Sequence, residues 1–207
     1  MRRSIAGLAV LAALAVGVLP AAADCALFNT LVKEAENGKG FTNIVPFRSG
    51  WDLRDEKDKV PAQFAYAGFD VCWIEDKVWT PANGKYGDPR YTCRVETKPD
   101  KDNTVAFGSH VAQVRAMGEL AAALRVCVQA DERFKVDAET SMGVRYMMKP
   151  ELTEMRGLYE NPRVWIEASE MDDPPYVEEV PPGAPLAMAT PMRLTFTVFG
   201  LARDLSD

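Results

Sequence analysis

Four cysteines stand outside the N-terminal leader, at positions 25, 72, 93 and 127, and they constrain the fold more than any other feature. An even set of thiols in an oxidising compartment forms disulfides, and two bridges are expected here. Each bridge forces two distant segments to within one side-chain pair of each other. No C-x-x-C pair is present, so a thioredoxin-type redox site has no motif. The long intervals between the cysteines match no zinc knuckle.

The compartment is read from the first residues. Met1-Arg2-Arg3 is a basic head, Ile5 to Leu19 is almost wholly apolar, and Pro20 ends the run. Ala21 and Ala23 supply small residues three and one positions before a cut at Asp24. This is the pattern of a Sec-type signal peptide over residues 1–23, cleaved after Ala23, which places the remainder in the periplasm or outside the cell. The apolar run is shorter than the ~20 residues of a spanning helix. No second run is long enough, so no stable membrane insertion is expected after cleavage. Asp24 directly before Cys25 argues against a lipidated cysteine. The whole chain carries a net charge of −6, and losing Arg2 and Arg3 makes it more acidic still. Such a surface repels phosphate backbones, so nucleic acid is not an expected partner.

Four cysteines allow three connectivities, and two local patterns favour one of them. "FDVCWIED" (69–76) and "YTCRV" (91–95) alternate like strands. Joining Cys72 to Cys93 as a hairpin puts the tip inside Thr80-Pro81-Ala82-Asn83-Gly84, which is turn chemistry. That register sets a polar row, Thr92-Arg94-Glu96, beside an apolar one, Phe69-Val71-Trp73. The other pair, Cys25 and Cys127, lies at the start of one helix and near the end of another. Asp24 can cap a helix carrying Leu27, Phe28, Leu31, Val32 and Ala35, which Asn37-Gly38-Lys39-Gly40 stops. A second helix is expected from Ser109 to Ala130, with Val111, Val114, Met117, Leu120, Ala121, Leu124, Cys127 and Val128 on one stripe. If the helices pack antiparallel, Cys25 meets Cys127.

The remaining pattern is mostly strand. Segments at 41–47, 62–75 and 90–97 are expected to be strands, the second one central and buried on both sides. "DLRDEKDK" (52–59) reads as a solvated turn. Phe134-Val136-Ala138, Val144–Met148, "RVWIEAS" (163–169) and "MRLTFTVFG" (192–200) alternate. A proline-rich acidic loop occupies 170–191. Helix, strands, helix, strands gives a single α+β domain over 24–207. It is a two-layer sandwich in which two helices pack a largely antiparallel sheet.

The arrangement of "FDVCW", "YTCRV" and "LAAALRVCV" over roughly residues 25–130 resembles uncharacterised secreted bacterial proteins whose cysteines bracket a hairpin and a helix end. The element order is similar to that of type III secretion chaperone-like α/β folds. The resemblance implies an architecture and brings no catalytic residue with it.

Candidate chemistry is sparse. His110 is the only histidine, placed in the first helical turn where an exposed structural role is common. No G-x-S-x-G, H-E-x-x-H or phosphate-loop motif occurs, and no catalytic residue, metal ligand or cofactor is assigned. Two places suit a partner instead. The loop carries Asp172, Asp173, Tyr176, Glu178 and Glu179 beside Pro174 and Pro175, a stiff acidic surface suited to a basic protein or peptide. Its spacing fails the EF-hand pattern. Trp79 and Tyr86 sit nearest the hairpin tip, as an aromatic pair able to stack on a ligand. The expected function is that of a periplasmic, non-enzymatic binding or interaction protein of the bacterial cell envelope, its partner a protein or an envelope ligand. The alternative is a secreted hydrolase of cell-wall or carbohydrate material working through paired carboxylates.

Overall fold

The computed structural model describes residues 24–47, 57–80, 85–98, 107–140, 143–148, 162–170 and 191–204. The leader expected at 1–23 lies outside them. Two helices pack on an open antiparallel sheet, an α+β two-layer arrangement. The helices are α1 (Cys25–Glu36) and α2 (Phe107–Ala130). The strands are β1 (Asp58–Lys59), β2 (Val71–Trp79), β3 (Tyr86–Glu96), β4 (Phe134–Thr140), β5 (Gly143–Met148), β6 (Arg163–Glu170), β7 (Met192–Phe199) and β8 (Arg203–Asp204). Their spatial order is β1-β2-β3-β7-β6-β5-β4, and β8 adds to the free side of β3.

This order makes β7 the join. β1 to β3 form one meander and β4 to β6 another, and β7 lies between β3 and β6, hydrogen-bonded to both. The inward rows are apolar from β3 to β5, and on β2 the row ends in a buried Asp76 that accepts from Arg203 of β8 at 2.6 Å. Cys72 and Ile74, Tyr91 and Cys93, Leu194, Phe196 and Val198, Val164 and Ile166, and Val144, Tyr146 and Met148 share one core with the helices. α1 contributes Leu27, Phe28, Leu31, Val32 and Ala35. α2 contributes Met117, Leu120, Leu124, Cys127 and Val128. Val111 and Val114, expected on the same stripe, are exposed, because the core that α2 meets begins at Met117.

The disulfides join Cys25 to Cys127 and Cys72 to Cys93. Cys72 and Cys93 are directly opposed in the β2–β3 register, with Cα atoms 4.1 Å apart. That is close to the spacing of a non-hydrogen-bonded antiparallel pair. The polar row beside the apolar one is reconciled by cations. The Lys57 ammonium lies 4.5 Å and the Arg94 guanidinium 5.5 Å from the centre of the Trp73 ring, so the apolar row is capped by charge. β2 is therefore buried on both faces, yet it is not central, since only the two-residue β1 lies beyond it.

Two expected strands are something else. Residues 41–47 form a turn. Gly38 and Gly40 take positive φ, and Phe41 follows them at +60°. A bulky residue there is strained, and its fully buried ring, 6.4 Å from that of Tyr91, supplies the compensating burial. Residues 62–64 form a short 3-10 turn after Pro61, and Gly68 at φ +90° reverses the chain, so β2 begins only at Val71. The surface segment at 52–59 ends in β1.

The start of α1 is fixed by a cap. Asp24 Oδ1 accepts a hydrogen bond of 3.0 Å from the Leu27 amide. Asp24→Ala is expected to lower stability by about 1 kcal/mol in urea denaturation. A change within a few tenths would mean that the adjacent disulfide alone holds this end.

Candidate functional site

The places singled out from the sequence fare differently. Asp172, Asp173, Tyr176, Glu178 and Glu179 lie outside the described residues. The backbone register makes Trp79 and Tyr86 direct cross-strand partners at the far end of the β2–β3 hairpin. Tyr86 is half-buried. His110, expected exposed at the start of a helix from Ser109, is buried, and α2 begins two residues earlier, at Phe107.

The chemistry collects on the sheet face turned away from the helices. Strand alternation puts Arg90, Thr92 and Arg94 of β3, Thr195, Thr197 and Phe199 of β7, Arg163, Trp165 and Glu167 of β6, and Arg145 of β5 on that face. Among the described residues no helix covers it. Rings and guanidinium groups alternate across the strands. Arg90 and Arg163 lie 5.0 and 4.6 Å from the Phe199 ring centre, and Arg145 lies 5.7 Å from that of Trp165. Trp165 and Phe199 are themselves 4.7 Å apart. Thr92 and Thr197 hydroxyls meet in the middle row.

A cavity of about 360 Å³ opens here, walled by Arg90, Arg145, Arg163, Met147, Trp165 and Phe199. Two carboxylates also reach it, and each is engaged. Asp88 is buried; its Oδ2 accepts from Arg90 at 2.7 Å and its Oδ1 from Arg163 at 3.3 Å. Asp137 accepts from Arg145. Asp137 arrives by a β-bulge between Val136 and Ala138, which breaks the alternation of β4. The indole nitrogen of Trp165 is buried with no hydrogen-bond acceptor among the described residues.

A second cleft, of about 450 Å³, lies between the N-terminal half of α2 and the ends of β2 and β3. Its floor is Val95, Met117 and Leu120. Its rim is tied shut by structure. Lys98 donates to Asp70 at 2.5 Å, and the Gln113 amide clasps the Lys98 backbone at 2.6 and 3.0 Å. Gln113 thus ties α2 to Lys98, just past the end of β3, and Lys98 in turn ties that point to Asp70 ahead of β2.

Elsewhere the polar groups are structural. Burial pushes the hydroxyls of Tyr66 and Tyr91 well above the ordinary tyrosine range. Tyr91 donates to the Phe64 carbonyl at 2.6 Å. Hydrogen bonds from Arg133 hold Asp131 below the usual carboxylate range and close the turn into β4. Among the described residues no three of His, Cys, Asp and Glu converge to hold a metal, and no helix is long and apolar enough to cross a membrane.

No family model, curated protein or solved structure matches this chain. The arginine–aromatic face was missed in the sequence, although a signal existed. Arg163-Val164-Trp165-Ile166 alternates arginine and tryptophan against two aliphatics, which marks a strand whose second face is dressed for contact rather than simply solvated.

Proposed function

We propose that this is a non-enzymatic binding protein of the bacterial cell envelope, acting in the periplasm through the arginine–aromatic face of its sheet. The two disulfides agree with an oxidising extracytoplasmic compartment. The observation that carries the reading is the alternation of Trp73, Arg94, Trp165, Arg145 and Phe199 over one sheet face. Arginine and large aromatics are the residues that dominate binding energy at protein contacts. A sheet stapled at Cys72–Cys93, packed by helices joined at Cys25–Cys127, holds them in place before a partner arrives, which lowers the ordering cost of association. An arginine-bearing face suits an acidic partner. That reverses the sign expected from the acidic loop, whose fit to a basic partner rests on residues outside the described part.

Capture from periplasmic extract tests this. The wild-type protein is expected to recover a partner, more weakly as salt is raised. The Arg94→Glu/Arg145→Glu variant is expected to lose it. A Trp79→Ala/Tyr86→Ala variant is expected to keep it. If the charge-reversed protein captures as well as the wild type, the face is not the contact. Turnover of a cell-wall glycan, abolished by a single Asp or Glu substitution, would overturn the non-enzymatic reading and favour the hydrolase.

A further inference from the structure

We infer that the outward face of α2 joins two copies of this chain as an antiparallel helix pair. Three observations converge on it. The first is apolar surface on the side of the helix that should be charged. Directly opposite the core stripe of Met117, Leu120, Leu124 and Cys127, a line runs through Val111, Arg115, Gly118 and Ala122 to Val126. A helix lying on a sheet carries polar residues on that side. Here Val111 and Val126 are 47% and 63% exposed. Arg115 is the only charge on the line, with Glu119 paired beside it.

The second observation is Gly118. Glycine weakens the middle of a helix, and its use there is to let another backbone come close. Within this fold nothing comes close: a Cβ built on Gly118 meets no described atom within 4 Å. The fold itself has no need of the missing side chain, and a neighbour arriving from outside does.

The third observation chooses the occupant. In an antiparallel pair, the register that sets Val111 against Val126 of the second copy also sets Arg115 against Ala122 and Gly118 against Glu119. The second copy's Glu119 then lies three residues, about 4.5 Å along the axis, from the point that Arg115 faces, within reach of a guanidinium. The two-fold axis repeats every contact, as an isologous interface requires. Within one helix Arg115 and Glu119 pair at 3.1 Å, with 80% and 49% of their side chains exposed, so both can also turn to the second copy. One register thus covers the valines, fills the gap at Gly118 and matches the charges. The arginine–aromatic face lies on the other side of the sheet and stays open, so the pair presents two such faces. That consequence, unlike the pairing itself, rests on the reading of that face as the binding face.

Sedimentation velocity of the purified protein over a range of concentrations tests the pairing. One helix face is a small interface, so a dissociation constant of about 1–100 µM is expected. Arg115→Glu brings four carboxylates together at the centre and is expected to weaken association about tenfold or more. The swap Arg115→Glu/Glu119→Arg is expected to restore it, and circular dichroism reports whether each variant is folded. Crosslinking reads the register. An equimolar mixture of Val111→Cys and Val126→Cys proteins is expected to form a disulfide-linked dimer on mild oxidation. Val111→Cys alone is not, because the two copies of position 111 then lie about 22 Å apart. A protein that stays monomeric up to about 500 µM overturns the proposal. So does a dimer that the swap fails to restore, or one in which Val111→Cys crosslinks alone as readily as the mixture. If the protein is monomeric and Val126→Glu abolishes capture of an extract protein, the face takes an unlike partner instead, and the pairing falls. None of these outcomes touches capture that depends on Arg94 and Arg145, so the proposed binding face stands or falls separately.

Discussion

Replacing Cys25 and Cys127 together by alanine is expected to remove about 4–5 kcal/mol of stability, the larger of the two disulfide effects. The bridge closes a loop with a sequence separation of 102, against 21 for Cys72–Cys93. In the chain-entropy model the cost of closing a loop grows with the logarithm of its length, so the shorter bridge contributes about 3 kcal/mol. The positions differ in the same sense. Cys72 and Cys93 lie inside a nine-pair antiparallel register that already aligns them when folded. Cys25 and Cys127 tie α1, the first element, to the end of α2 across most of the described chain. Against a typical net stability of about 5–15 kcal/mol, either loss is large and the first can be decisive. Guanidinium denaturation followed by circular dichroism checks both. The double variants should fall in the order given. The slope of free energy against denaturant should rise for Cys25→Ala/Cys127→Ala, because the uncrosslinked unfolded chain exposes more surface. A larger loss for Cys72→Ala/Cys93→Ala would show that native packing around the short bridge outweighs the long loop.

The same comparison explains what the sequence made legible. Alternation is local, so the strands at 163–170 and 192–199 announce themselves, as does the 90–96 part of β3, whose start at Tyr86-Gly87-Asp88-Pro89 carries no alternation, and so do the helical stripes from Leu27 to Ala35 and from Met117 to Val128. The hairpin register follows from two cysteines and a turn-rich tip. Other features depend on partners far away in sequence. Nothing near "MRLTFTVF" says that it inserts between β3 and β6, since strand pairing is decided by which apolar faces are left to cover. Without that insertion Arg90, Phe199 and Arg163 cannot be seen as neighbours, and the cavity has no existence in the sequence. Phe41 misled for a different reason. Its segment carries strand-prone Phe, Thr, Ile and Val, and tertiary burial overrides that preference by holding it at positive φ. The bulge that brings Asp137 to Arg145 is equally invisible, because one extra residue leaves no mark on a short run.

Phe196→Ala is expected to cost about 3–5 kcal/mol, at the upper end for a single core truncation. The ring is fully buried in the central strand of the sheet. It meets Tyr66 edge-on at 5.2 Å, and Phe69 and Tyr91 at 6.4 Å each. Tyr66 and Phe69 belong to the segment between β1 and β2, which has only a three-residue 3-10 turn of its own. Aromatic packing on Phe196 is therefore a large part of what holds that segment to the sheet. Tyr66 passes the tie on, donating its hydroxyl to the Asp24 carbonyl at the start of α1. Truncation should thus do two things at once: lower the global denaturation midpoint, and speed amide exchange at Ala65 and Phe69 beyond what the global loss explains. Phe196→Leu refills most of the volume and should cost less than about 1.5 kcal/mol. If exchange at Ala65 and Phe69 rises only in step with the rest of the sheet, then the 60–70 segment is held by its backbone bonds to β2 and β3. Those are the Val60 amide on the Cys72 carbonyl and the Asp70 amide on that of Arg94. In that case the aromatic cluster stabilises the sheet without organising its margin.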